Sequence, residues 1–269
     1  MKITDVIAHV ILPAIPDHSN RKRPWTFVQI HPDEGITGWG EASNWPGGGS
    51  HLSGQAVRLL QNILVGEDPS DIERLWHKVY RQYTYLGARG LPTVALSGVD
   101  IALWDIKGKA TGRPIYDLLG GKFRDKIKLY ANSWFVGCTT PEEFATAAKN
   151  AVEVGHEALK LDPFLEMRPY HTGYVDGQIS AAGENLGCDI VKAIREAVGP
   201  DIEILIDAHG HYNVPTAIRL GNRLYEESRI FWFEEPVPPE SFDALRTVRE
   251  HTSAPICTGE RLFTRFDFI

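Results

Sequence analysis

The sequence has few cysteines and no long apolar run, and each absence excludes a class of protein. The three cysteines, Cys138, Cys188 and Cys257, stand far apart without CxxC or CxxH spacing, so we expect buried thiols and neither a zinc site nor a disulfide framework. No stretch approaches the roughly 20 consecutive apolar residues that span a bilayer. Because residues 1–12 also lack the apolar core of a signal peptide, we expect a cytoplasmic protein with no membrane partner.

Positive charge is also scarce. The 269 residues contain 28 Lys and Arg against 35 Asp and Glu, a formal net charge of −7, and the only dense basic run is residues 21–23. Binding to a phosphate backbone depends on clustered cations that release counterions. The composition is therefore that of an ordinary globular protein that we do not expect to bind nucleic acid.

The first 125 residues predict an α+β domain. Stretches with strand character occupy residues 3–12, 25–30 and 36–41, the last two forming a hairpin around a turn. Apolar residues then recur at helical spacing over 51–65, 69–83 and 93–110. Strands followed by helices indicate a single α+β layer arrangement over residues 1–125.

From residue 126 to 269 short apolar strands alternate with amphipathic helices. The predicted strands are 127–131, 158–161, 203–206, 230–233 and 255–257, and the predicted helices are 141–154, 186–198, 215–227 and 241–251. This repetition predicts a parallel sheet, and since no GxGxxG follows any strand, a (β/α) TIM-type barrel is favoured over a dinucleotide-binding sheet. Only about five βα units of such a barrel are visible, because the pattern stops after the fifth strand.

Acidic residues follow three successive predicted strands. Asp207, Glu234 and Glu260 are separated by 27 and 26 residues, about one βα repeat. Parallel strands deliver these side chains to one rim, the C-terminal face where barrel enzymes place their sites. Like charges gathered there would repel unless a cation lay among them, and oxygen ligands suit Mg²⁺. An acid after a strand also commonly caps the next helix, a role that is compatible with the metal site.

Three further side chains are candidates for catalysis. Alternation along an extended strand places His209 on the same side as Asp207, where it acts as a general acid or as a hydrogen-bonded rim residue. By the same alternation Lys160 and Asp162 share one face beside the proposed metal. Lys160 is open to several roles: binding a carboxylate, acting as a base, forming a Schiff base, or making a structural ion pair.

These residues lie in motifs that resemble the enolase superfamily, mandelate racemase subgroup. The matching stretches are Leu-Lys-Leu-Asp at 159–162, Ile-Asp-Ala-His-Gly at 206–210, Phe-Glu-Glu-Pro at 233–236, Thr-Gly-Glu-Arg at 258–261, Gly-Trp-Gly-Glu at 38–41 and Ser-Gly-Val-Asp-Ile-Ala-Leu-Trp-Asp at 97–105. The resemblance implies a capping domain followed by the barrel. It also implies that Asp207, Glu234 and Glu260 hold a Mg²⁺ that binds a substrate carboxylate and stabilises an enediolate.

Within the subgroup the residues look most like the gluconate and galactonate type of acid-sugar dehydratases. Racemases of the subgroup carry a second lysine where this chain has Asp162, which argues against two-base racemisation. In the dehydratases the histidine that matches His209 protonates the departing 3-hydroxyl, and the base that removes the C2 proton is expected beyond Ile269. The resemblance also implies a homo-oligomer, and lid segments at about 16–25 and 43–51.

The leading hypothesis is a Mg²⁺-dependent hydro-lyase that converts an aldonate to its 2-keto-3-deoxy acid. One alternative is a racemase, epimerase or cycloisomerase on the same scaffold. Another is a non-catalytic remnant that keeps only metal or acid-sugar binding. A long connection at residues 165–185, with Arg168, Tyr170, His171 and Tyr174, is a further candidate cover for the site.

Overall fold

A computed structural model describes residues 1–14, 22–43, 49–167 and 176–269 of the chain. The chain divides into two compact units. The first comprises Met1–Lys126 together with Phe263–Ile269, and the second comprises Ile127–Leu262. Among the described residues, none of the helices combines the length and the apolar character needed to cross a membrane.

The first unit is built on a three-stranded antiparallel sheet. Its strands are β1 (Ile3–Ile11), β2 (Trp25–Pro32) and β3 (Gly38–Glu41), in the spatial order β1-β2-β3. Burial alternates along β2, as a half-buried sheet requires. The predicted hairpin is confirmed, and Gly35 takes the positive φ of 79° that its turn demands.

The helices α1 (Gly49–Leu64) and α3 (Leu91–Thr111) pack against the buried face of this sheet. The helix α2 (Ile72–Gln82) packs against α1 and α3, and the short α4 (Ile115–Leu118) packs against α3. Glycines let α3 lie directly against the sheet: a Cβ on Gly98 would come within 2.7 Å of Val28 and 2.8 Å of Ala42. The antiparallel sheet with helices packed against one face is the predicted α+β capping fold.

The second unit is built on a parallel sheet. Its strands are β4 (Ala158–Leu161), β5 (Glu203–Asp207), β6 (Trp232–Glu234) and β7 (Ile256–Cys257), paired in that order. β4 and most of β5 are buried on both faces, which explains their continuous apolar runs. The predicted combination of a capping domain with a parallel β/α part is thus confirmed.

The prediction of a strand at residues 127–131 was wrong. Only Ala131 pairs with β4, through an isolated bridge to Leu159 in which its N–H and C=O bond to Ala158 and Lys160. Ile127 and Leu129 are 75% and 71% exposed, so they are not the buried strand side chains that their apolar character suggested. Two hydrogen bonds at one residue do not make a ladder.

Helices alternate with these strands as predicted. They are α5 (Pro141–Glu153), α6 (Ala181–Val198), α7 (Val214–Ser228) and α8 (Phe242–His251). Side chains cap each N-terminus: a full capping box joins Thr140 and Glu143, and Ser180, Asn213 and Ser241 accept from backbone amides. α6 begins five residues earlier than expected, because Ser180 provides its cap.

Large aromatic side chains fill the core between the sheet and the helices. Phe144, Phe164 and Phe233 are fully buried there. Of the cysteines, only Cys188 is fully buried, and the other two are partly exposed, so the expectation of three buried thiols was wrong. Burial raises the pKa of the Cys188 thiol to about 12.

Candidate metal centre and active site

Three carboxylates meet at the C-terminal edge of the parallel sheet. Asp207 and Glu234 are the last residues of β5 and β6 and pair with each other in register, whereas Glu260 lies three residues beyond β7. One carboxylate oxygen of each lies within 4.8 Å of the others. The Asp207 and Glu234 side chains are 6% and 10% exposed, and that of Glu260 is 43% exposed. The structure therefore brings together all three residues that the sequence singled out as metal ligands.

Lys160 lies between two of these acids. From β4 its ammonium Nζ is 2.8 Å from Asp207 Oδ2 and 2.7 Å from Glu234 Oε1. Burial alone would lower the pKa of Lys160, but the two carboxylates outweigh it and hold that pKa above its usual range. Lys160 is accordingly a protonated partner of the acids in this structure.

Both carboxylate oxygens of Glu234 accept a hydrogen bond from a neighbouring side chain. Oε1 accepts from Lys160, and Oε2 accepts from the Trp232 indole N–H at 3.1 Å. Burial raises the pKa of Glu234, and the charges of Asp207 and Glu260 raise it further, against the opposing effect of Lys160. Lys160 thus offsets only part of the negative charge around Glu234.

His209 reaches the site by a different route from the one that the alternation implied. β5 ends at Asp207, and His209 has a left-handed φ of 51°, so the strand does not stay extended. The turn is held because Asp207 Oδ1 accepts from the His209 amide at 3.0 Å. It places His209 Nε2 3.6 Å from Asp207 Oδ2.

Asp162 lies beside the imidazole of His209. Its Oδ2 is 3.2 Å from His209 Nδ1, while its Oδ1 accepts from the Phe164 amide at 3.0 Å. Burial acts to lower the pKa of His209, but Asp162, Asp207 and Glu260 together raise it above its usual value. The His209 side chain is 29% exposed, so its ring contacts Asp162 through Nδ1 and is also accessible to solvent.

Two further side chains lie at this edge, and sequence reasoning gave neither of them a functional role. Glu235 follows Glu234 and is 1% exposed, and the Arg261 guanidinium, next to Glu260, donates to the carbonyl oxygen of His209. The sequence does contain a signal for them, because a charged residue directly follows a proposed metal ligand in the motifs at 233–236 and 258–261. No local pattern, however, shows which atoms such a side chain contacts.

The expected covering segments fall mainly outside the described residues. These are most of 16–25 and 43–51, and the part of 165–185 that carries Arg168, Tyr170, His171 and Tyr174.

Two family models match the chain. The mandelate racemase/muconate lactonizing enzyme N-terminal domain matches residues 3–120, and the enolase C-terminal domain-like model matches residues 143–269. The first match lies within the antiparallel unit and its helices. The second contains the strands and loops that carry all three carboxylates.

Individual relatives agree with these matches. D-gluconate dehydratase of Thermoproteus tenax is 40% identical over 78% of this chain and 40% of its own length. D-galactonate dehydratase of Pectobacterium atrosepticum is 39% identical over 100% of this chain and 64% of its own length. The chain thus spans less than two thirds of these curated relatives.

A solved structure extends the agreement to the backbone. The crystal structure of a member of the enolase superfamily from Salmonella Typhimurium superposes with a TM-score of 0.89 at 35% identity, covering 99% of this chain and 69% of that one. Fold, family models and sequence identity agree with the resemblance seen in the motifs. The chain belongs to the mandelate racemase/muconate lactonizing enzyme family of the enolase superfamily.

Proposed function

We propose that the protein dehydrates a sugar acid, an aldonate such as gluconate or galactonate, to the 2-keto-3-deoxy acid through an enediolate, with Mg²⁺ as its cofactor. The observation that carries the proposal is the meeting of Asp207, Glu234 and Glu260 within 4.8 Å, beside Lys160 and His209. Two relatives that are 40% and 39% identical to this chain over the aligned residues are named for dehydration of gluconate and galactonate.

The residues present fit Mg²⁺. The donor set is made only of carboxylate oxygens, which a hard divalent cation prefers. The charges of Lys160, between Asp207 and Glu234, and of Arg261, 3.5 Å from Glu260, only partly offset the three carboxylates, and a divalent cation adds the positive charge that is lacking. When bound, Mg²⁺ supplies positive charge that stabilises negative charge developing on a substrate carboxylate.

Lys160 and His209 have distinct proposed roles. Lys160 presents a buried positive charge at the edge of the sheet, suited to an anionic substrate such as a sugar acid. His209 is the proposed general acid for the departing hydroxyl, because Asp162 orients its ring while the side chain stays partly exposed. Asp162 is therefore proposed as a positioning partner of the acid.

The test is a panel of aldonates assayed for 2-keto-3-deoxy acid as its semicarbazone, with and without Mg²⁺. We expect product only with a divalent cation, and His209→Asn is expected to lower turnover at least about 100-fold, as loss of a general acid does. A rate unaffected by EDTA, or near-normal turnover by His209→Asn, would refute the mechanism. Solvent deuterium appearing at C2 without water loss would instead indicate a racemase or epimerase.

A further inference from the structure

The three proposed metal ligands differ in how firmly the fold holds them. Asp207 and Glu234 end hydrogen-bonded strands and are buried, whereas Glu260 lies in the loop after β7 with its side chain 43% exposed. Metal affinity depends on all ligands being held near their binding positions before the ion arrives. The loop that carries Glu260 therefore needs an anchor.

Glu235 provides contacts to the residues that lead to Glu260. Its Oε1 accepts from the Thr258 hydroxyl at 2.6 Å and from the Gly259 amide at 3.1 Å. Its own amide donates to the Cys257 carbonyl at 3.0 Å. Three successive residues before Glu260 are thus bonded to one buried side chain and its backbone.

The same residue also contacts the His209 turn. The Glu235 carbonyl accepts from the Gly210 amide at 2.6 Å, directly after His209. Glu235 itself has a left-handed φ of 43°, a conformation that non-glycine residues rarely adopt. An unfavourable backbone conformation retained at this point is consistent with a functional placement.

We propose that Glu235 is a positioning residue that fixes the Glu260 loop for metal binding. The inference rests on the metal site of the proposed function. Among the residues that the structure describes, Glu235 makes no ion pair within 4.0 Å, so its carboxylate acts here as an oxygen acceptor for two donors. A glutamine in the same rotamer keeps that acceptor, and an alanine removes it.

The test measures binding of Mn²⁺, a spectroscopic substitute for Mg²⁺, by electron paramagnetic resonance. We expect Glu235→Ala to raise the Mn²⁺ Kd about 10- to 100-fold, the range seen when groups that orient metal ligands are removed. Glu235→Gln is expected to stay within about threefold of wild type. Such rescue by the conservative variant is not expected if the charge itself attracts the metal.

Glu143→Ala is the matched control. The Glu143 carboxylate also accepts from a threonine hydroxyl and backbone amides, those of Thr139 and Thr140, but at the start of α5. We expect Glu143→Ala to lower the melting temperature without changing the Mn²⁺ Kd. A purely structural role of Glu235 predicts the same behaviour for Glu235→Ala.

The outcomes separate the two proposals. If the wild type binds no Mn²⁺, the proposed metal site is wrong, and the proposed role of Glu235 is then wrong as well. If the wild type binds and Glu235→Ala binds equally well, or Glu235→Gln is as weak as Glu235→Ala, only the role of Glu235 is wrong. Should Glu235→Ala fail to fold, Thr258→Val decides: it deletes one of the two donors, and an unchanged Kd overturns the inference.

Discussion

Replacing Lys160 by methionine tests the electrostatics of the site through protein stability, with no need to measure catalytic turnover. The substitution keeps most of the side-chain volume and removes the ammonium that lies 2.8 Å from Asp207 and 2.7 Å from Glu234. All three side chains are at most 10% exposed. Two buried carboxylates then lose their shared cation, the situation in which breaking a buried pair costs about 3–5 kcal/mol.

That cost predicts a large change in thermal stability. At roughly 2–4 °C per kcal/mol for a chain of this size, Lys160→Met is expected to melt about 6–20 °C below wild type in calorimetry. Lys128→Met is the matched control, because its partner Glu203 lies 2.8 Å away but the two side chains are 51% and 28% exposed. An exposed pair of this kind is worth about 0–1 kcal/mol.

Addition of Mg²⁺ completes the test. A divalent cation at Asp207, Glu234 and Glu260 replaces the missing positive charge, so Mg²⁺ should raise the melting temperature of Lys160→Met more than that of wild type. Equal, small losses in the two lysine variants would refute the reasoning about burial. An equal effect of Mg²⁺ on Lys160→Met and wild type would refute the assignment of the ion to these carboxylates.

Three other predictions concern positions away from the site. Burial, with a smaller effect of Glu73, raises the pKa of Asp100, so the ionised form weakens folding at pH 7. Asp100→Asn should therefore raise the melting temperature at pH 7, with a gain that shrinks as the pH falls through the raised pKa and is gone below the ordinary pKa of an unfolded aspartate. Gly98→Ala should cost about 1–3 kcal/mol by denaturant unfolding, because its Cβ would come within 2.7 Å of a Val28 methyl. Cys188 is buried with a raised pKa, so a thiol reagent should label the other two cysteines of the native protein but reach Cys188 only on unfolding.

The parts of the fold that sequence could predict are those set by local patterns. Buried parallel strands read as continuous apolar runs, and the spacing of Asp207, Glu234 and Glu260 matches one βα repeat, so their convergence follows from topology alone. The prediction of a strand at residues 127–131 was wrong because an apolar run does not specify a partner strand. Only Ala131 forms the bridge, and strand identity depends on that tertiary pairing.

The side-chain contacts of the site could not be predicted in the same way. The sequence placed His209 beside Asp207 through an extended strand, whereas a left-handed turn places it there. The hydrogen bonds that Thr258 and Gly259 donate to Glu235 join residues more than twenty positions apart. Such contacts depend on loop geometry, which neither periodicity nor spacing encodes.

The polar cluster at the sheet edge is not explained by stability. Asp207, Glu234 and Lys160 occupy buried positions where well-packed apolar residues of similar volume are often as stabilising, or more so. Next to them the second unit has a large core of buried apolar side chains, including Phe233, in the strand that ends with Glu234. A chain that builds a continuous apolar core and then ends its central strands in acids bears a cost in desolvation. That cost is understandable if a cation and an anionic substrate bind there, since each supplies an interaction that the isolated protein lacks.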